Sequence, residues 1–173
     1  MNKLILSVFI GVMFQTNLFA IDTEKTATVL QIMIPSIAYG TTRYFDDEEG
    51  QIQFYKSFGA NIGVTYGLKY TVDKKRPNGE KYSFPSGHTS MAFQGASFIH
   101  KRYGLKYALP AYIAATFVGY NRVESDAHYI EDVIAGAAIG TLSSFYFTTP
   151  YKEFELKFVA IDGGYGIALK RTW

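Results

Sequence analysis

Apolar residues at helical spacing run through most of this chain, and they limit its fold more than any other feature. After a polar Thr-Glu-Lys start at Thr23, apolar residues recur every three or four positions as far as Ile37, which is typical of an amphipathic helix. A chain of 173 residues suits a single domain. The same spacing predicts four more helices, over Gln53–Val72, Thr89–Lys101, Lys106–Asn121 and His128–Phe147.

The N-terminal residues have the composition of an export signal. Lys3 precedes Leu4–Phe14, an uncharged apolar run of signal-peptide length, and Ala20 supplies a small residue at a cleavage point. An uncleaved membrane anchor is the alternative. Cleavage would leave a mature chain of roughly 150 residues in the periplasm or on the periplasmic face of a bacterial membrane.

The tail of the chain changes from helical to alternating spacing. Glu155–Ile161 and Tyr165–Lys170 fit two strands around an Asp-Gly-Gly turn, which is a hairpin signal. We therefore predict an all-α fold, a helical bundle with a small C-terminal β-hairpin. The expected organisation is a signal peptide or N-terminal anchor at 1–20, a helical catalytic domain at 21–153 and a hairpin tail at 154–173.

Glycine spacing predicts where two helices approach closely. Gly59, Gly63 and Gly67 recur at four-residue intervals and give the second predicted helix a smooth face. The last predicted helix contains Gly136 and Gly140 at the same interval.

Charge and composition exclude several classes of function. The net charge is only +2 and the basic residues are scattered, so nucleic acid is not an expected partner. The absence of cysteine excludes disulfides, thiolate catalysis and cysteine-based zinc sites. The acidic run at 46–49 lacks the spacing of metal ligands, so we expect a solvated surface turn there. No metal site and no cofactor are predicted.

Membrane contact is harder to predict from hydropathy. Val133–Tyr151 is a run of 19 uncharged residues, close to the roughly 20 that cross a bilayer. The other predicted helices are shorter or contain polar residues, and the mean hydropathy is near zero. We expect a packed bundle that rests on a membrane surface, with a multispan membrane protein as the alternative.

Three short motifs in one half of the chain combine cations, histidines and a carboxylate. Two of the three histidines of the chain fall inside them. Each motif alone also fits a surface loop, an ordinary helix start or a structural His–Asp pair, but their combination favours catalysis. They are Lys69-x6-Arg76-Pro77, Pro85-Ser86-Gly87-His88 and Arg122-x5-His128-x3-Asp132.

These residue types are the ones that cleavage of a phosphate ester requires. Arg76 and Arg122 can each offer a planar fork to phosphate oxygens, and Lys69 adds a compact charge. Gly87 lies where a loop turns into a helix, so free backbone N–H groups there favour an anion. Ser86 either caps that helix or donates to phosphate, and the following His88 is suited to protonating a leaving alkoxide.

The third motif places a histidine four residues before a carboxylate. On a helix, His128 and Asp132 would share one face, with Ser125 or Asp126 as the cap and His128 in the first turn. The carboxylate can hold one ring nitrogen protonated and leave the other free to attack phosphorus. His100 fits an exposed helix end and receives no role.

The motifs and their order resemble the type 2 phosphatidic acid phosphatase superfamily, which includes bacterial acid phosphatases and vanadium haloperoxidases. Asn121 departs from the serine that usually precedes the arginine of the third motif. The resemblance implies an α-helical bundle and a metal-independent phosphatase that uses a phosphohistidine intermediate. It implies that His128 is the nucleophile, Asp132 its partner and His88 the general acid. The implied phosphate-binding residues are Lys69, Arg76, Ser86, Gly87 and Arg122.

The resemblance also indicates the substrate class. We expect a phosphorylated lipid, or another phosphate ester or pyrophosphate, as the substrate. The alternatives are a periplasmic acid phosphatase acting on soluble monoesters, a vanadate-dependent haloperoxidase, and an envelope protein that binds an anion without catalysis.

Overall fold

The computed structural model describes residues 22–151, 154–161 and 164–171. The predicted signal peptide or anchor at 1–20 lies outside the described residues. Two residues of the predicted hairpin turn, Asp162 and Gly163, also lie outside them.

Five helices form the described part of the bundle, which confirms the predicted helical fold. Local capping fixes several of the helix starts, because Asp22, Asp47 and Ser86 each accept a backbone N–H three residues later. The helices are α1 (Thr23–Tyr44), α2 (Glu48–Val72), α3 (Gly87–Tyr103), α4 (Leu105–Glu124) and α5 (Ile130–Phe147).

Helix α3 is the centre of the bundle and contacts the other four helices. Its buried face consists mostly of small residues such as Ala92 and Ala96, and Phe98 and Gln94 are its largest fully buried side chains. Ile34 of α1 and Val118 of α4 complete the apolar core from either side. Small side chains let the neighbouring helices approach α3 closely.

Helices α3 and α5 approach each other closely. A Cβ atom added at Gly136 would lie 2.5 Å from the Ser86 carbonyl oxygen, and one at Gly140 would overlap the Ser90 carbonyl oxygen. The predicted close packing at Gly59, Gly63 and Gly67 is not found among the described residues, where a Cβ atom at any of these positions meets nothing within 4 Å. Glycine spacing alone did not distinguish the buried pair from the exposed run.

The acidic turn before α2 is not simply solvated. Asp47 is 3% exposed and accepts hydrogen bonds from Arg102 Nε at 2.7 Å and from the Tyr103 hydroxyl at 2.8 Å. Arg102 also donates to the Thr149 carbonyl oxygen at 3.0 Å. One buried ion pair thus connects the start of α2, the end of α3 and the chain that leaves α5. The expectation of an exposed surface turn is wrong for Asp47.

Two strands follow the bundle. β1 (Phe154–Ile161) and β2 (Gly164–Arg171) pair antiparallel, with Phe154 opposite Arg171 and Ile161 opposite Gly164. None of the helices in the described ranges combines the length and the apolar character needed to cross a membrane.

Candidate active site

The three motifs meet at a cavity of about 350 Å³ at one end of the bundle. Five of the eight predicted site residues line it: Lys69, Arg76, Gly87, His88 and His128. Ser86, Arg122 and Asp132 are buried beside these residues and do not line the cavity. His100, the remaining histidine, lies on the last turn of α3, where its Nδ1 is 3.2 Å from the Tyr112 hydroxyl.

Lys69 reaches the cavity from the last turn of α2. It is 8% exposed, and its ammonium donates to the Tyr82 carbonyl oxygen at 2.8 Å. Burial, together with the nearby charge of Arg76, lowers the pKa of Lys69 to about 8. The ammonium is therefore mostly charged at neutral pH and loses its charge in mildly alkaline solution.

The two arginines present buried donors near the same cavity. Arg122 is 4% exposed and donates to the Asn121 side-chain oxygen at 2.5 Å, so Asn121 orients the guanidinium. Arg76 Nη1 forms an ion pair with Oε2 of the exposed Glu80 at 2.9 Å. In both arginines the Nε–H is buried and has no partner among the described residues. An unpaired buried donor is costly, and an anion between the two guanidinium groups would satisfy both.

The Pro-Ser-Gly-His segment forms the start of α3. Ser86 is its N-cap and accepts from the Thr89 hydroxyl or donates to it at 2.9 Å, so its side chain is occupied by capping. The first N–H groups of a helix have no partner within the helix, and those of α3 begin at Gly87 beside the cavity. The Ser86 N–H donates to the Asp132 carbonyl oxygen at 2.9 Å, which connects the second motif to the third.

His88 lies on the first turn of α3 and is half-buried at the cavity. Burial and the charges of Arg122, Arg76 and Lys69 lower the pKa of His88 to about 4. The ring is therefore neutral at pH 7 in a site that contains no anion. A bound dianion would offset the three cations and raise this pKa, since an opposite charge favours the protonated ring.

The structure corrects the predicted geometry of the third motif. Helix α5 begins at Ile130, so His128 precedes the helix and the prediction of a cap at Ser125 or Asp126 is wrong. The physical reason is a turn: Asp126 adopts a positive φ of 52°, and the His128 N–H donates to the Arg122 carbonyl oxygen at 2.9 Å. His128 is thereby held against the end of α4.

Asp132 occupies the first turn of α5, completely buried behind His128. Its carboxylate accepts the Tyr129 N–H at 3.1 Å and the Lys74 ammonium at 2.8 Å. Burial opposes its ionisation, but the hydrogen bonds from Lys74 and Ser83 outweigh burial and lower the pKa of Asp132. The carboxylate is therefore ionised, and its Oδ2 lies 3.9 Å from His128 Nδ1.

The His128 ring is neutral at physiological pH. Burial and the charges of Lys69 and Arg76 lower the pKa of His128 to about 3, although Asp132 acts in the opposite direction. A neutral ring has a free lone pair on one nitrogen, as a nucleophile requires. The chemistry that this arrangement permits is capture of a tetrahedral anion, with one histidine at hand to attack it and a second to exchange a proton.

Two residues of the site were missed from the sequence. Lys74 and Ser83 contact Asp132 directly. Lys74 is one of the unspecified positions inside the first motif, and Ser83 lies between the first and second motifs, so neither has a characteristic spacing. They are recognised only in the folded structure, where their loop packs against the start of α5.

Comparison with known proteins places the chain in a family. The model of the PAP2 superfamily matches residues 4–154, and the chain belongs to that superfamily.

Several curated relatives share part of the sequence. The chain is 38% identical over 84 residues to a lipid A 1-phosphatase of Porphyromonas gingivalis, a match that covers 46% of this chain and 19% of that protein. It is 34% identical over 102 residues to a lipid A 4'-phosphatase of Helicobacter pylori, covering 52% of each. The chain thus spans about half or less of the length of these two relatives.

Two further comparisons extend over more of the chain. A lipid A 1-phosphatase of another Helicobacter pylori strain is 34% identical over 137 residues, which cover 72% of this chain and 67% of that protein. The crystal structure of Aquifex aeolicus LpxE is similar with a TM-score of 0.65 at 21% identity, over 82% of this chain and 93% of that one. At this identity the structural likeness supports the fold.

Proposed function

We propose that this protein is a phosphatase that hydrolyses a phosphate monoester of a lipid through a phosphohistidine intermediate. The observation on which the proposal rests is the convergence of His88, His128, Lys69 and Arg76 on one cavity. Arg122 is buried close enough for its charge to lower the pKa of His88. Membership in the PAP2 superfamily and the similarity to relatives named lipid A phosphatases support the same activity.

The first half of the reaction transfers the phosphoryl group to the protein. Lys69, Arg76 and Arg122 bind the phosphate oxygens, and the dianion raises the pKa of His88 so that its ring takes up a proton. The Nε2 lone pair of His128 forms a bond to phosphorus while the bond to the ester oxygen breaks. The bonding electrons leave with that oxygen, which receives the proton of His88.

The second half regenerates the site. His88, now neutral, accepts a proton from a water molecule whose oxygen attacks the phosphorus of the phosphohistidine. The bond between phosphorus and Nε2 breaks, and its electrons return to the His128 ring. Inorganic phosphate leaves, and once its charge is gone the pKa of His88 falls again and the ring releases the proton that it took from water. Every group of the site has then recovered its starting protonation.

A membrane surface is the proposed location of the substrate. Three large apolar side chains are mostly exposed. They are Ile113 on α4 (71%) and Ile134 (62%) and Leu142 (68%) on α5. Apolar side chains this exposed favour contact with a lipid phase over water. The predicted export signal supports the periplasmic face of a bacterial membrane.

The C-terminal tail is proposed to form a small hairpin. The antiparallel register of β1 and β2 supports this prediction.

Phosphate release tests the proposed function. The substrates are lipid A 1-phosphate, lipid A 4'-phosphate, phosphatidate and a soluble aryl phosphate, each presented in mixed micelles with and without a metal chelator. His128→Ala is compared with His100→Ala, a matched control because His100 lies outside the cavity.

Each result of this assay has a defined meaning. We expect chelator-resistant release from at least one lipid, lost in His128→Ala and kept in His100→Ala. Release from the aryl phosphate alone would contradict the proposed lipid specificity and would indicate an acid phosphatase that acts on soluble esters. No release from any substrate, with phosphate still bound, would indicate an anion-binding protein.

A further inference from the structure

We propose that Ser83 is a positioning residue that connects Asp132 to the ring of His128, a role that none of the sequence motifs assigns. The inference rests on the proposed function, because it concerns how the nucleophilic nitrogen is prepared. It names one hydroxyl group as the link between the carboxylate and the imidazole.

Distances among the three side chains point to this link. Asp132 Oδ2 lies 3.9 Å from His128 Nδ1, which is too far for a hydrogen bond. Ser83 Oγ lies within hydrogen-bond reach of both side chains, 2.5 Å from Asp132 Oδ2 and 3.4 Å from His128 Nδ1. The exposed fractions are 0% for Ser83 and Asp132 and 2% for His128, so all three are shielded from bulk water.

The direction of the hydrogen bonds follows from the charges. An ionised carboxylate only accepts, so the Ser83 hydroxyl donates its proton to Asp132. The Ser83 oxygen then has lone pairs available to accept Nδ1–H from His128. In this arrangement the proton stays on Nδ1 and the lone pair of Nε2 is free for phosphorus, which is the tautomer that attack requires.

Lys74 fixes the other end of the same link. Its ammonium binds Asp132 Oδ1 at 2.8 Å and Glu131 at 2.7 Å, which leaves Oδ2 directed toward Ser83. The Ser83 N–H also donates to the Lys74 carbonyl oxygen at 2.8 Å. The loop therefore delivers Lys74 and Ser83 to the carboxylate as a connected pair.

The link becomes more important as the reaction proceeds. When Nε2 bonds to phosphorus, the imidazole acquires positive charge and Nδ1–H becomes a stronger donor. Ser83 passes the stabilising effect of the Asp132 charge to that ring. Loss of the hydroxyl should therefore lower kcat with little change in KM, because the interaction is strengthened in the transition state.

Ser83→Ala and Ser83→Thr are the variants for the test. Ser83→Ala should lower kcat roughly 10- to 100-fold, the range seen when the hydrogen-bond partner that orients a metal-binding histidine is removed. Ser83→Thr keeps the hydroxyl and should recover most of the activity. Thermal unfolding of both variants establishes that each is folded before its kinetics are compared.

A second readout does not depend on activity. The ¹⁵N chemical shifts of the His128 ring report which nitrogen is protonated, and Ser83→Ala should move the population away from the Nδ1–H tautomer. An unchanged kcat together with unchanged ¹⁵N shifts in Ser83→Ala would overturn the proposal. If the wild type releases no phosphate, the proposed function fails, and the ¹⁵N shifts still decide the Ser83 link.

Discussion

Anion binding should be accompanied by proton uptake at His88, because the cavity holds this ring neutral until a negative charge arrives. The pKa of His88 is about 4 in the absence of an anion, so about one ring in 300 is protonated at pH 6.5. Sulfate is a suitable probe, since it resembles phosphate in shape and is already a dianion at this pH. If the dianion raises the pKa of His88 well above 6.5, binding takes up close to one proton.

The pH dependence of the affinity follows from the same proton. Between the free pKa and the bound pKa, each unit of rising pH should lower the association constant for sulfate about tenfold. Lys69, whose pKa is about 8, is about 97% protonated at pH 6.5 and adds little to the uptake there.

Calorimetric titration with sulfate measures this uptake. The binding enthalpy is compared in two buffers of different ionisation enthalpy at pH 6.5 and constant ionic strength, for the wild type and His88→Asn. We expect nearly one proton in the wild type and almost none in His88→Asn, whose affinity should also become flat with pH. A wild-type value near zero, or the same uptake in His88→Asn, would refute the assignment of His88 as the group that becomes the acid.

Three further predictions concern the charge of Lys69, the packing of the helices and the buried ion pair of Asp47. Above pH 8 the loss of the Lys69 charge should steepen the fall of sulfate affinity, and Lys69→Arg should remove the extra slope; an unchanged slope would exclude Lys69 from the anion site. Gly140→Ala should destabilise the fold by about 1–3 kcal/mol because α3 and α5 must separate, whereas Gly63→Ala on an open helix face should be neutral or stabilising by up to about 1 kcal/mol; equal melting temperatures would contradict the packing described. Arg102→Leu leaves Asp47 buried without its ionic partner and should cost about 3–5 kcal/mol in urea unfolding, with sulfate affinity unchanged in the folded protein; a loss below about 1 kcal/mol would show that water replaces the guanidinium.

Local sequence patterns were sufficient for the helices and insufficient for their ends. The apolar spacing predicted all five described helices, but α2 starts at Glu48, five residues before the predicted Gln53. The early start depends on Asp47, which caps the helix and pairs with Arg102, 55 residues away. A pairing between such distant segments leaves no periodic signal, so the acidic turn was mistaken for a solvated one.

In the site, too, local motifs could be predicted from the sequence, whereas contacts between distant segments could not. The motifs identified residues that do meet at one cavity, and their individual roles remain predictions. Helical spacing gave the wrong reason for the proximity of His128 and Asp132, because the former lies in a turn before α5. Lys74 and Ser83 were not predictable, since their relation to Asp132 arises only when the loop folds back over the start of that helix.

The backbone contact between α3 and α5 constrains the sequence of one part of the site more than that of the other. His88 is attached to this contact through the start of α3, and Asp132, which lies behind His128, is attached to it through the Ser86–Asp132 backbone hydrogen bond. Another part of the cavity lining consists of side chains such as Gln31 and Tyr66, which belong to α1 and α2. Mutations that reshape this part of the lining leave the geometry of the reacting groups intact, so descendants of one ancestor could adopt new esters while they retained a single mode of phosphoryl transfer.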